Sequence, residues 1–282
     1  AGVWQYNKLL VSPNSQLSGR FGNSVSIDGD TIVIGANSEF SEGRAYVYTR
    51  ETAGWPALGT ELKANDAAAG DSFGFATAIY GDTIAIGALF RDENALDNTG
   101  AVYLFTKAGT AWSQSDKLVA SNADANDWFG SSVALDGSLL VAGAPNEDSS
   151  DINNPADNGS PNQGAAYVFR ETSSGWTQTG YLKPGTDAAD DMFFGTSVAS
   201  DLGSIAVGAF SVGSSSQPGK VYVFSLARSA GWIETGVLMN PSSANDSWFG
   251  FSVDMDGDTR IVVGEPKEDT NGDDSGAVLV FE

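Results

Sequence analysis

Five times along the chain one strand-rich pattern is written out, and that repetition constrains the fold more than any single residue. Each copy opens on Phe-Gly and runs through a short alternating stretch into an acidic Gly turn. An apolar run ending in Gly-Ala or Gly-Glu follows, then a polar loop, then Gly-x-(Val/Ala)-(Tyr/Leu)-(Val/Leu)-(Phe/Tyr). The Phe-Gly pairs are Phe21-Gly22, Phe73-Gly74, Phe129-Gly130, Phe194-Gly195 and Phe249-Gly250. A period of roughly 50 to 65 residues built only of strand-like pieces marks a radial or stacked array, in which each unit needs its neighbours to bury a core.

Each copy carries strand signals of four kinds. The first follows Phe-Gly, as in Asn23-Ser-Val-Ser-Ile-Asp28 and its counterparts 75–80, 131–136, 196–201 and 251–256. There small or polar residues alternate with Val, Ile, Leu or Met, the period of a half-buried strand. Asp28-Gly29-Asp30, Tyr80-Gly81-Asp82, Asp136-Gly137-Ser138 and Asp256-Gly257-Asp258 read as tight hairpin turns, and the fourth copy, Asp201-Leu-Gly203-Ser204, holds one extra residue. The second strand is nearly continuous apolar, as in Thr31-Ile-Val-Ile-Gly35. That fits a strand covered on both faces, with a terminal Gly where backbones approach closely. The third is Arg44-Ala-Tyr-Val-Tyr48 and its counterparts. The fourth runs from a Trp to a Leu, at Trp55–Leu62, Trp112–Leu118, Trp176–Leu182 and Trp232–Leu238, and reads as packing between units.

The fifth copy reaches Glu282 without a Trp-to-Leu strand, and the missing piece stands at the other end as Trp4–Leu10. The expectation is one all-β domain over residues 1–282, a five-bladed β-propeller of four-stranded antiparallel blades. Blade 1 covers about 21–62, blade 2 about 73–118, blade 3 about 129–182, blade 4 about 194–238, and blade 5 about 249–282 plus 3–10. The N-terminal strand is expected to complete the last blade, closing the ring and sparing it an unpaired edge.

Fourteen basic residues against 36 acidic ones give a formal charge of −22. That argues against nucleic acid, whose phosphates demand Lys and Arg, and against anionic membrane surfaces. No run is long enough to span a bilayer. The acid reads either as solubility or as divalent-cation binding, since Asp and Asn oxygens are what calcium takes. Cys and His are both absent, which excludes disulfides, thiolate zinc sites and His-dependent nucleophilic triads. The chain opens on Ala1 rather than Met, and is read as a processed or excised piece of a secreted bacterial surface protein.

The Phe-Gly…Gly-Ala-Pro wording resembles the FG-GAP repeat of integrin alpha-subunit propellers and of many bacterial secreted and surface proteins. Gly143-Ala144-Pro145 is the full match; Gly35-Ala36-Asn37, Gly87-Ala88-Leu89, Gly208-Ala209-Phe210 and Gly264-Glu265-Pro266 are near matches. The bacterial branch is the more similar, through its Gly-x-Ala-Tyr-Val-Phe strand and trailing Trp. The resemblance implies an extracellular propeller used for adhesion or recognition, often with calcium. It departs at the first hairpin turn, where integrin-type repeats hold calcium in Asp-x-Asp-x-Asp-Gly. Asp-Gly-Asp is too short to wrap that ion, so those sites are not carried over.

In such a fold the second-to-third-strand loops and the connections before Phe-Gly share one face, and variable loops on a rigid frame are where binding resides. Three sets of residues stand out there. The connections carry Asp and Asn, among them Asp71 and Asp127, readable as ion sites or as Asx-type turns on a solvated rim. The long loop after Pro145, with Glu147, Asp148 and Asp151, and the Asp269-Thr-Asn271-Gly-Asp273 run resemble the first half of a calcium loop, or a solvated acidic segment. The aromatic set is Phe40, Phe90, Trp128, Phe193, Phe210 and Trp248, suited to stacking on a sugar or to sealing blades together.

The function expected is a non-enzymatic extracellular recognition or adhesion module, lectin-like or protein-binding and calcium-assisted. Its partner would be a cell-surface glycan or an extracellular protein. The alternatives are a self-assembling structural subunit of a surface filament, and a glycosidase or polysaccharide lyase. The last needs two carboxylates about 5 to 10 Å apart near the axis, for which Glu265 is the one symmetry-breaking candidate.

Overall fold

The computed structural model describes residues 5–14, 16–151, 154–185, 190–210, 219–227, 230–241, 247–257, 259–268 and 274–282. They form nineteen strands in five antiparallel sheets, an all-β five-bladed propeller with no helix among the described residues. Blade 1 is β1 (Phe21–Asp28), β2 (Thr31–Ala36), β3 (Arg44–Thr49) and β4 (Thr60–Leu62). Blade 2 is β5 (Ala76–Tyr80), β6 (Thr83–Ala88), β7 (Ala101–Ala108) and β8 (Ala111–Leu118). Blade 3 is β9 (Ser132–Asp136), β10 (Leu139–Ala144), β11 (Ala165–Thr172) and β12 (Gly175–Leu182). Blade 4 is β13 (Phe194–Asp201), β14 (Ser204–Ala209), β15 (Lys220–Ala227) and β16 (Gly231–Leu238), and blade 5 is β17 (Ser252–Asp256), β18 (Arg260–Glu265) and β19 (Ala277–Phe281).

Each blade is a simple meander, and the innermost strands pack in sequence, β1 on β5, β5 on β9, β9 on β13 and β13 on β17. The second strands are walled in on both sides: every residue of β10 and β14 is buried. The outer strands serve two interfaces at once. Trp112, Trp176 and Trp232 pack toward the preceding blade, whereas Leu62, Leu118, Leu182 and Leu238 pack toward the following one. In blades 2 to 4 the outer strand bulges at one place, where the hydroxyls of Ser115, Thr179 and Thr235 donate to Leu104 O, Val168 O and Val223 O. Strand β4 is short because Pro56, just after Trp55, brings no backbone donor.

The fifth sheet has three strands, which corrects the expected closure. Trp4 lies outside the described residues, and the described part of the N-terminal segment forms no strand on β19. Leu10 instead packs against Ile34, Tyr46 and Tyr48 on the back of blade 1, and Tyr48 OH donates to Val11 O at 2.9 Å. Leu10 thus stands on blade 1 as Leu118 stands on blade 3, in the place of an outer strand from a preceding blade.

Candidate functional site

In all five copies the residue before Phe-Gly takes a left-handed backbone: Arg20 (φ 56°), Ser72 (57°), Trp128 (60°), Phe193 (50°) and Trp248 (59°). Non-glycine residues with a Cβ pay about 1 to 2 kcal/mol there, and Asn or Gly is the residue local preference selects. Three consecutive blades place an aromatic ring in it instead. The gain that offsets the strain lies at the mouth of the axis, where these positions converge with the residues after Phe-Gly and after Gly-Ala.

Phe75, Leu89, Trp128, Pro145, Phe193, Phe210 and Phe251 line a cavity of about 360 Å³ there, together with Ser131, Asn146 and Thr196. Phe210 is its hub: it stacks on Phe193 at 5.4 Å and meets Trp248 at 5.3 Å and Phe251 at 5.5 Å. Trp248 stacks on Phe251 and carries the Lys267 ammonium 4.0 Å above its ring. Phe90 meets Trp128 edge-on at 5.5 Å. The polar atoms are few. The Ser131 and Thr196 hydroxyls already donate to Gly143 O and Phe193 O, whereas Asn146 Oδ1 is buried with no partner among the described residues.

Five of the six aromatic residues singled out from sequence therefore gather at or beside this cavity, and Phe40 does not; it lies on the blade 1 loop under the Arg44 guanidinium. Sequence reasoning passed over Phe75, Leu89, Pro145, Asn146 and Phe251. The signal was available: Phe75 and Phe251 stand two residues after Phe in their copies, where the others have Asn23, Ser131 and Thr196.

The acidic residues of the same face are held in internal networks. Asp71 Oδ2 accepts from Ala68 N at 2.7 Å and from Arg91 at 3.2 Å, and burial raises its pKa. Asp127 Oδ2 accepts from Asp124 N at 2.8 Å; burial, then the charges of Glu147, Asp124 and Asp148, push its pKa up to about 7. Asp148 Oδ1 accepts from Asn162 N, and the main chain of Asp151 is tied to the Ser149 hydroxyl. Glu147 is the buried hub of blade 3, receiving Lys183 at 2.5 Å, Tyr181 OH at 2.7 Å and Asn122 at 3.0 Å. Blade 1 has Glu39 at that position, accepting from Tyr46 OH, and blade 2 reverses the sign with Arg91.

Among the described residues no three acidic side chains converge on a common point, and Asp71 is already neutralised by Arg91. Two of the first hairpin turns are committed to the next blade: Asp28 Oδ2 accepts from Gly81 N and Asp201 Oδ2 from Gly257 N, each at 2.6 Å. Asp269, Asn271 and Asp273 lie outside the described residues.

Glu265 is fully buried and accepts from Asn240 at 2.7 Å. The matching positions in blades 2 and 3 are both alanine, Ala64 with Ala88 and Ala120 with Ala144, each pair within one apolar cluster. Glu265 and Asn240 thus replace an Ala–Ala contact by a polar one. The same blade has Leu279 where the other four carry Tyr46, Tyr103, Tyr167 and Tyr222, leaving room for the longer side chain.

The model of the FG-GAP repeat matches five times, over residues 4–48, 59–105, 112–169, 176–224 and 232–281. The chain belongs to the FG-GAP repeat family. Comparison with curated proteins finds no match. The five FG-GAP units also explain the recurring Phe contacts: Phe73, Phe129 and Phe194 are fully buried, each meeting the Tyr and Phe of its own third strand at 5.3 to 6.1 Å. The fold is a repeat scaffold of a kind typically without catalysis, compatible with a protein-binding module.

Proposed function

We propose that the chain is a non-catalytic recognition module of the extracellular or cell-surface type, which captures an apolar or aromatic side chain of a protein partner in the Phe210-centred cavity. The observation that carries this is the row of Trp128, Phe193 and Trp248 in left-handed backbone, a strain that three blades sustain to bring rings to one mouth. A protein segment suits the lining better than a glycan does. A sugar brings hydroxyls that each need a partner, whereas the Ser131 and Thr196 hydroxyls are engaged and Asn146 Oδ1 is buried. Adhesion is the setting this reading favours, in line with the extracellular occurrence of many FG-GAP repeats. Among the described residues Asp71, Glu147 and Asp127 are held by Arg91, Lys183 and a backbone amide, so this reading calls on no ion at those three carboxylates.

The enzyme alternative rests on Glu265, whose carboxylate is turned into the contact with Asn240 between blades 4 and 5 rather than toward the cavity. The direct test screens the chain against a displayed peptide library and a glycan array, with Trp fluorescence following Trp128 and Trp248. Peptides sharing an aromatic or large aliphatic anchor are expected to bind, with Phe210→Ala weakening them by about tenfold or more at unchanged circular dichroism. Selective glycan binding that survives Phe210→Ala would overturn the assignment.

A further inference from the structure

The outer strand of blade 1 is interrupted. β7, β11 and β15 each pair seven residues with the strand outside them, whereas β3 pairs only Ala45, Tyr46 and Val47 with β4. Thr49 stands where Thr106, Arg170 and Ser225 stand in the next three blades, opposite the first residue of the second strand. Those three pair outward with Ser113, Thr177 and Ile233, and Thr49 has no such partner among the described residues. The chain from Trp55 to Gly59 runs outside the ladder, with Leu58 65% exposed. Arg50 N donates inward to Asp30 O at 2.8 Å, and hydrogen-bonding direction alternates along a strand, so the Thr49 N–H and C=O point outward into the gap.

The gap is a cavity of about 390 Å³ between blades 1 and 2. It is lined by Val47 and Thr49 of β3, Pro56 and Leu58 of the interrupted strand, and Lys107 and Trp112 of blade 2. The Lys107 ammonium lies 5.6 Å from the centre of the Trp112 ring. Neither Lys107 nor Glu51, which also lines the cavity, enters an ion pair among the described residues. Each blade is a meander, so the turns between third and fourth strands lie on the face away from the loops that form the Phe210 mouth, and the two cavities are separate.

We propose that this gap is a second recognition site, which takes an extended polypeptide segment of a partner as a replacement outer strand, antiparallel to β3. The next three blades show what fills the place: a strand, set opposite the residue that corresponds to Thr49. An extended peptide brings one N–H and one C=O to Thr49, and its neighbouring peptide groups offer an acceptor to Lys107 and a donor to Glu51. A segment of no net charge therefore suits the site. Its residue opposite Thr49 faces blade 2, as Val47 does, and meets Trp112. Ile233, opposite Ser225 in blade 4, shows that an apolar side chain suits that position.

The test is a two-dimensional amide NMR titration of the chain with the peptide N-acetyl-Thr-Gln-Ile-Gln-Thr-amide. Saturable shifts are expected at the Thr49 amide and the Trp112 indole N–H, with a Kd on the order of 1 mM for so short a segment. Methylating the Ile nitrogen of the peptide removes the donor that faces Thr49 O and is expected to weaken binding by about tenfold. Thr49→Pro, which removes the outward donor at a position where no ladder bond is lost, is expected to weaken binding similarly at unchanged circular dichroism. Phe210→Ala is expected to leave it unchanged, which separates this site from the mouth. No saturable shift at either group overturns the inference, as does binding indifferent to the N-methyl group or binding lost with Phe210→Ala.

Discussion

The carbonyl oxygen of Gly195 stands 1.9 Å from the point where a Cβ on Gly143 would project, so the two backbones of blades 3 and 4 touch with no side chain between them. Ser132 Oγ, on the strand beside Gly143, donates to the same oxygen at 2.7 Å. Gly143→Ala must therefore push two blades apart, because a backbone carbonyl cannot swing aside. The expected loss is about 2 to 4 kcal/mol in urea unfolding. Gly264→Ala, which meets only the rotatable Ser252 hydroxyl, is expected to cost under about 1 kcal/mol. Equal losses at the two glycines would refute the interlock.

Lys183 and Glu147 form an ion pair that is almost wholly buried, at 2.5 Å. Removing the cation alone strands a carboxylate among Tyr181, Asn122 and Ser149, and Lys183→Met is expected to destabilise by about 3 to 5 kcal/mol. Adding Glu147→Leu to that variant is expected to recover part of the loss. A double-mutant cycle in urea measures the coupling; additive losses would mean the pair does not act as one.

Asp127 makes stability depend on pH in a predictable direction. Unfolded, the carboxyl titrates near about 4, whereas in the fold its pKa is about 7. The group therefore favours the folded state most below about pH 4, and that contribution fades as pH rises toward 7. Asp127→Asn removes the charge facing Glu147, Asp124 and Asp148 while keeping an acceptor for Asp124 N. Relative to wild type the variant should gain stability steadily across that window, by a few kcal/mol in order of magnitude. Parallel urea midpoints for the two proteins between pH 4 and 7 would speak against it.

Asn240→Ala leaves the buried Glu265 carboxylate without its donor and is expected to cost about 1 to 3 kcal/mol. Asn240→Ala with Glu265→Ala rebuilds the contact that Ala120 and Ala144 represent in blade 3, and should be closer to wild type than the single variant. Thermal melts of the three proteins decide it, and a double variant worse than the single one would show that the cavity left beside Leu279 outweighs the regained apolar contact.

The blades were legible because hydrophobic period and turn chemistry agree in every copy: Asp28-Gly29 turns where its wording says, and Thr31 to Ala36 is buried as its apolar run demands. Part of the cavity was legible because Trp128, Phe193, Phe210 and Trp248 stand as aromatic residues in the loops and connections of one face. Phe75 and Phe251 were absorbed into the strand pattern, where an aromatic residue raises no question. The polar hubs were not legible at all. Lys183 reaches Glu147 across 36 residues of sequence through the long third-blade loop, and no local spacing announces such a meeting. The Trp4–Leu10 spacing pointed to an outer strand on blade 5; the described part of that segment forms no strand, and of its residues Leu10 packs on blade 1.

Each matched unit of sequence begins on the outer strand of one blade and finishes on the third strand of the next, so the unit of heredity and the unit of structure are out of phase by one strand. Copying any one period of the coding sequence in tandem, from whatever starting point, therefore inserts a blade already fitted with both its joints. Unequal crossing-over can lengthen or shorten such an array without redesigning a single contact, and blade number becomes a trait that ancestry can vary while the fold of each blade is left alone.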